Sequence, residues 1–109
     1  MKLNIRFRQI VATPELREQL ARRVRLTLAR LGHEVRVVDV TLADINGPRG
    51  GRDTLCRVRL RGPRVGALVV EDVGVDVGST IGGVLDRAAR AAVRALDRRR
   101  SWAPMTAVA

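Results

Sequence analysis

Polar and apolar positions along this chain fall into six periodic segments. Lys2 to Phe7 alternates, with Leu3, Ile5 and Phe7 on one side and Lys2, Asn4 and Arg6 on the other. That pattern predicts a half-buried strand. Thr13-Pro14-Glu15 then opens a helix: Thr13 is a good N-cap, Pro14 suits the first helical position, and Glu15 and Glu18 favour the positive end. Leu16, Leu20, Val24, Leu28 and Leu31 form a stripe at helical spacing, with Gly32 as the stop. Leu26 alone falls among the arginines of the opposite face.

Val35 to Leu42 predicts a second strand, irregular at its start, with Val38, Val40 and Leu42 inward. Asn46 to Gly51 is a dense turn signal. In the third strand Thr54, Cys56, Val58 and Leu60 alternate with Leu55, Arg57, Arg59 and Arg61, so the two strands read as a hairpin with a long connection. Ala67 to Val73 is a fourth strand, whose faces the run Leu68-Val69-Val70 leaves open. Gly74 to Gly83 reads as a loop, with Ser79 and Thr80 as caps for a final helix over about Ile81 to Arg100. Its buried stripe is Ile81, Leu85, Ala88, Ala92 and Leu96, with Ala89 and Val93 beside it.

The order β-α-β-β-β-α predicts an α+β fold: a four-stranded mixed sheet with both helices packed on one face. The strand-helix-strand crossover makes the first two strands parallel, and the other pairings are antiparallel. Residues 1–100 form a single domain, and 101–109 are expected to be a short flexible tail.

Charge sharpens this picture. The 109 residues carry a formal net charge of +10, and Lys2 is the one lysine among 21 basic residues. Arginine in place of lysine reflects coding bias, but the excess of positive over negative charge does not, and it points to a polyanion. The charge is also segregated. Thr13 to Gly32 has five Arg against two Glu, Gly47 to Arg64 has six Arg against Asp53, and Ile81 to Trp102 has six Arg against Asp86 and Asp97. Val65 to Thr80 has no basic residue. Two neighbouring helices would set two arginine stripes side by side, as a groove or ridge suited to a phosphate backbone. With two aromatics in the chain, Phe7 on the core side and Trp102 near the end, the sheet is not a platform for stacking single-stranded bases. Folded RNA or a duplex fits better.

Other chemistries find little support. A single cysteine, Cys56, and a single histidine, His33, make neither an internal disulfide nor a zinc site. Asn46 to Gly51 lacks the spacing and the Lys-Ser/Thr ending of a nucleotide-binding loop, though Arg49 and Arg52 could contact phosphate. Asp44, Asn46 and Asp53 do not follow a calcium-loop pattern. No base, nucleophile and orienting group stand together, so an enzyme is not expected; neither is a cofactor, a metal or a small-molecule substrate. No secretory signal or membrane span is visible, and a cytoplasmic protein is expected.

The order of elements, with Lys2-Leu3-Asn4-Ile5 at the start and Thr13-Pro14-Glu15-Leu16-Arg17-Glu18 opening the helix, resembles the hibernation-promoting factor family, the ribosome-associated translation inhibitors or ribosomal subunit interface proteins. Asp44 to Asp53 with Cys56 just after is similar to the second hairpin of a subgroup of short members, and Val69-Val70-Glu71-Asp72 through Asp76 to Ile81 is similar to that subgroup's C-terminal half. The likeness covers about Met1 to Arg100. It implies binding to the small ribosomal subunit, in the channel used by messenger RNA and by transfer RNA at the A and P sites, and so translation inhibition and preservation of idle ribosomes in stress or stationary phase. It implies contacts to ribosomal RNA by Arg22, Arg23, Arg25 and Arg30 of the first helix and by Arg87, Arg90, Arg94 and Arg98 of the second. It also implies a monomer off the ribosome. Gly78-Ser79-Thr80 departs from the family's usual Tyr-Ala-Ala-like stretch, and Leu31 stands where an aromatic is usual. Two alternatives remain at this level: a structured- or double-stranded-RNA or DNA binder without ribosome preference, and an interaction module for an acidic protein.

Overall fold

The computed structural model describes residues 1–45 and 53–108, with the side chains of 100–108 excepted. The strands are β1 (Lys2–Arg8), β2 (Val37–Asp44), β3 (Thr54–Gly62) and β4 (Gly66–Gly74), and the helices are α1 (Pro14–Leu28) and α2 (Val77–Val108). They form one four-stranded sheet in the order β1-β2-β3-β4. β1 pairs parallel with β2, and the other two pairings are antiparallel. The expected α+β architecture is the one observed.

Register follows from alternation. Leu3, Val38, Leu60 and Leu68 lie in one cross-strand row, and Ile5, Val40, Val58 and Val70 in the next. Both rows face the helices, and Val38, Val40, Val58 and Leu60 are almost completely buried. Onto them α1 brings Leu20, Val24 and Leu28, and α2 brings Ile81, Leu85, Ala88 and Ala92. Burying one such aliphatic side chain is worth roughly 1.5–3 kcal/mol, so this one apolar layer is the main source of stability. The register also answers the question left by Leu68-Val69-Val70: Leu68 and Val70 point to the core, while Val69 is about half exposed on the open face.

Local chemistry sets the element ends. The Thr13 hydroxyl accepts from the Leu16 backbone N–H at 3.1 Å, and Pro14 opens α1. The chain then tightens into a 3-10 segment over Ala29–Glu34, in which Gly32 takes φ +51°. Val35, ahead of β2, is buried in the core rather than paired in the strand. Gly62 is needed at the β3 end, because a Cβ there would run into the backbone carbonyl of Glu34.

One expectation changes. α2 begins at Val77, four residues early, and its cap is Asp76 rather than Ser79 or Thr80. The Asp76 carboxylate accepts from the Ser79 backbone N–H and from the Ser79 hydroxyl, each at 2.9 Å. The helix continues to Val108. The tight turn expected over Asn46 to Gly51 lies outside the described residues.

Candidate nucleic-acid interface

Helical geometry divides the eight arginines expected at the site into groups with different jobs. Residues seven apart on a helix are nearly in line. On α1, Arg23 is in line with Arg30 just beyond it, on the flank that faces α2. On α2, Arg87, Arg94 and Arg98 share the flank above β4, and Arg90 is displaced roughly 60° toward the top.

Two arginines tie elements together. Arg23 crosses to α2, where its Nη1 donates to the Gly78 carbonyl at 2.8 Å. Its guanidinium lies over Gly82, where a Cβ would meet Nη2 at 2.5 Å. Arg87 reaches down to the sheet edge. Its Nη2 donates to the Glu71 carbonyl at 3.2 Å and stands 3.6 Å from an Asp72 carboxylate oxygen. Arg87 is therefore not the free member of an exposed stripe.

The expected pair of adjacent arginine stripes is thus corrected. α2 turns small Ala89 and acidic Asp86 toward α1, which lets the helices approach, and most of its arginines lie on the far flank. Between the helices runs an open groove of about 500 Å³, lined by Leu26, Thr27 and Arg30 from one side and by Asp86, Ala89 and Arg90 from the other. Of the eight arginines, Arg30 and Arg90 are the two brought together there. Arg22 pairs with Glu18 at 3.7 Å across one helical turn. That pair is largely exposed and worth at most ~1 kcal/mol, so a phosphate could take its place. Arg25 is exposed on the flank of α1 away from α2. Arg49 and Arg52 lie outside the described residues.

Leu26, the apolar residue out of place in the sequence pattern, is 72% exposed at the lip of this groove. Asp86 adds an acceptor. An arginine fork suits phosphate, whereas a carboxylate suits a hydroxyl or amino donor, so the groove presents both donors and an acceptor.

Sequence reasoning passed over a second set of arginines. The rows that face away from the helices hold Lys2, Arg6 and Arg8 on β1 and Arg57, Arg59 and Arg61 on β3. Their parity was visible in the alternation, but the register that lays them on one surface was not.

The remaining chemistry-bearing groups lie outside the groove. Cys56 is buried against the helices, and desolvation, followed by the negative charges of Asp72 and Asp76, pushes its thiol up to about 11. Phe7 packs on the helix side, with the Arg17 guanidinium 5.1 Å from its ring centre. His33 is exposed in the 3-10 segment. Among the described residues no cluster of His, Cys, Asp and Glu could hold a metal, and no helix is long and apolar enough to cross a membrane.

No protein-family model and no curated protein sequence matches the chain. Its shape, however, matches solved structures. A ribosomal subunit interface protein from Coxiella burnetii superposes with a TM-score of 0.70 at 10% identity, over 86% of this chain and 96% of that one. The Thermus thermophilus Protein Y N-terminal domain superposes with a TM-score of 0.69 at 17% identity, over 86% of this chain and 98% of that one. The chain has the ribosomal subunit interface protein fold. At this identity the match speaks for the backbone.

Proposed function

We propose that this domain is a non-enzymatic ribosome hibernation factor of the ribosomal subunit interface family. It docks its basic helices on the RNA of the small subunit and occupies the channel used by messenger RNA and by transfer RNA at the A and P sites. The observation that carries this reading is the groove in which Arg30 and Arg90, from separate helices, flank Leu26 and Asp86, on a backbone of ribosomal subunit interface shape. Arg22, Arg25, Arg94 and Arg98 extend positive charge on both sides of it. Inhibition then needs no chemistry: a folded domain held on phosphates excludes messenger and transfer RNA by volume. Arg23 and Arg87 act indirectly here, by holding the helices in place.

The test is co-sedimentation of the purified protein with separated small subunits, large subunits and whole ribosomes at two salt concentrations. Near-stoichiometric binding to the small subunit, weakening steeply with salt as counterions are released, is the expected result. It should fall by tenfold or more in Arg30→Glu with Arg90→Glu. Equal affinity for random RNA duplexes and for the small subunit would favour a general structured-RNA binder. Binding that ignores salt would favour an acidic protein partner.

A further inference from the structure

Among the described residues nothing covers the side of the sheet away from the helices, and that side is strongly basic. Lys2, Arg6 and Arg8 line its β1 edge, and Arg57, Arg59 and Arg61 line β3. Arg6, Arg8, Arg57, Arg59 and Arg61 are all exposed. Alternate residues of a strand stand ~6.7 Å apart, and β1 and β3 are separated by one strand, so the two basic rows run side by side ~10 Å apart.

Two carboxylates stand among them. Glu71 holds Arg57 at 2.6 Å, and Asp39 lies 3.7 Å from Arg61 while also accepting from Asn4 at 2.8 Å. These pairs orient Arg57 and Arg61 but leave Arg6, Arg8 and Arg59 with no carboxylate within ion-pair distance among the described residues. The two rows on β1 and β3, one strand apart, thus hold several uncompensated like charges on one surface, which is unfavourable for the isolated domain. An anionic partner relieves that repulsion.

We infer that this sheet face is a second RNA-binding surface, which takes the phosphate backbone of an RNA duplex. The occupant follows from the chemistry. Two spaced rows of guanidinium forks suit the phosphates of a backbone. The face carries no aromatic among the described residues, so it offers nothing on which unpaired bases could stack. Thr41, on β2 between the rows, and Asn4, within the β1 row, can bond to ribose hydroxyls. Because the helix groove and the sheet face lie on opposite sides of a two-layer domain, both can be occupied at once. The domain then bridges two RNA segments, a property the helix groove alone would not confer. The inference does not depend on the ribosome being the partner.

The test counts RNA molecules bound. A 12-base-pair RNA duplex is titrated into four proteins at low salt, with stoichiometry read by native mass spectrometry and affinity by calorimetry. The proteins are wild type, a sheet variant (Arg6→Glu with Arg59→Glu), a groove variant (Arg30→Glu with Arg90→Glu), and the combination. Wild type is expected to bind two duplexes, each double variant one, and the combination none. All four sites are exposed, and the charge-neutral pair Arg6→Gln with Arg59→Gln guards against a folding defect. It should lower the salt slope of the remaining sheet-face binding by about one for each phosphate that is no longer neutralised. A sheet variant with wild-type stoichiometry and affinity would overturn the inference, as would a groove variant that binds no duplex. If the groove variant binds like wild type and the sheet variant binds nothing, the sheet-face inference stands and the helix-groove reading falls.

Discussion

The Arg23 guanidinium of α1 donates to the Gly78 carbonyl in the first turn of α2, 2.8 Å away, and lies over Gly82. A basic residue that the sequence offers to RNA is thus committed to holding the two helices in register. Replacing it with alanine should lower stability by about 1 kcal/mol, the usual worth of an exposed charge-assisted hydrogen bond after solvent competition. The neighbouring glycines separate this tie from helix propensity. Gly83 sits in the helix with open space around its Cβ position, so Gly83→Ala should stabilise by about 0.5–1 kcal/mol. Gly82→Ala gains the same propensity but must displace Arg23, and should fall short of it. Chemical denaturation of the three variants checks the order.

Arg87 and Arg90 should part company under charge reversal. Arg87→Glu sets a carboxylate beside Asp72 and Glu71, where the native residue makes an ion pair and a hydrogen bond. It should lose about 1 kcal/mol and a few degrees in Tm. Arg90→Glu touches no such partner and should keep stability within about 0.5 kcal/mol of wild type while weakening RNA binding. Thermal melts alongside duplex titrations read the two effects separately.

Asp76 couples the start of α2 to pH. The Ser79 backbone N–H, and then the Ser79 hydroxyl, hold its carboxyl below the ordinary 3.8. Its folded value is thus depressed, so its contribution is fully present above 3.8 and is lost as pH falls through the lower folded value. The stability gap between wild type and Asp76→Ala should be constant at neutral pH and close in acid. A gap that does not change with acid would show that the cap does not depend on the charge.

Cys56 reports global opening. With its thiol pushed up to about 11 and buried, it should resist a thiol reagent at pH 8 until the core unfolds. Its labelling rate should rise with denaturant in parallel with global unfolding. Above pH 9.0 the unfolded thiol ionises first, so stability should decline from there toward pH 11.

The apolar periodicities by themselves determined the element order, the parallel first crossover, the helix face buried by Leu20, Val24 and Leu28, and the inward set Cys56, Val58 and Leu60. Burial is a local, repetitive demand that each segment announces through its own spacing. Thr13 was legible as a cap because its partner is three residues away. Asp76 was legible as a helix-start charge but not as the cap, because the glycines around it masked where α2 starts. Tertiary structure decided what each arginine does. Arg23 and Arg87 were committed to ties with Gly78 and Asp72, residues 55 and 15 positions away in sequence. Arg30 and Arg90 were brought across a groove, and Arg6 and Arg59 were laid on one face by the β1-β2-β3 register. A charge carries no periodic signature of its partner. Its role follows from which distant group the packing sets beside it, and that is decided only when the sheet and helices come together.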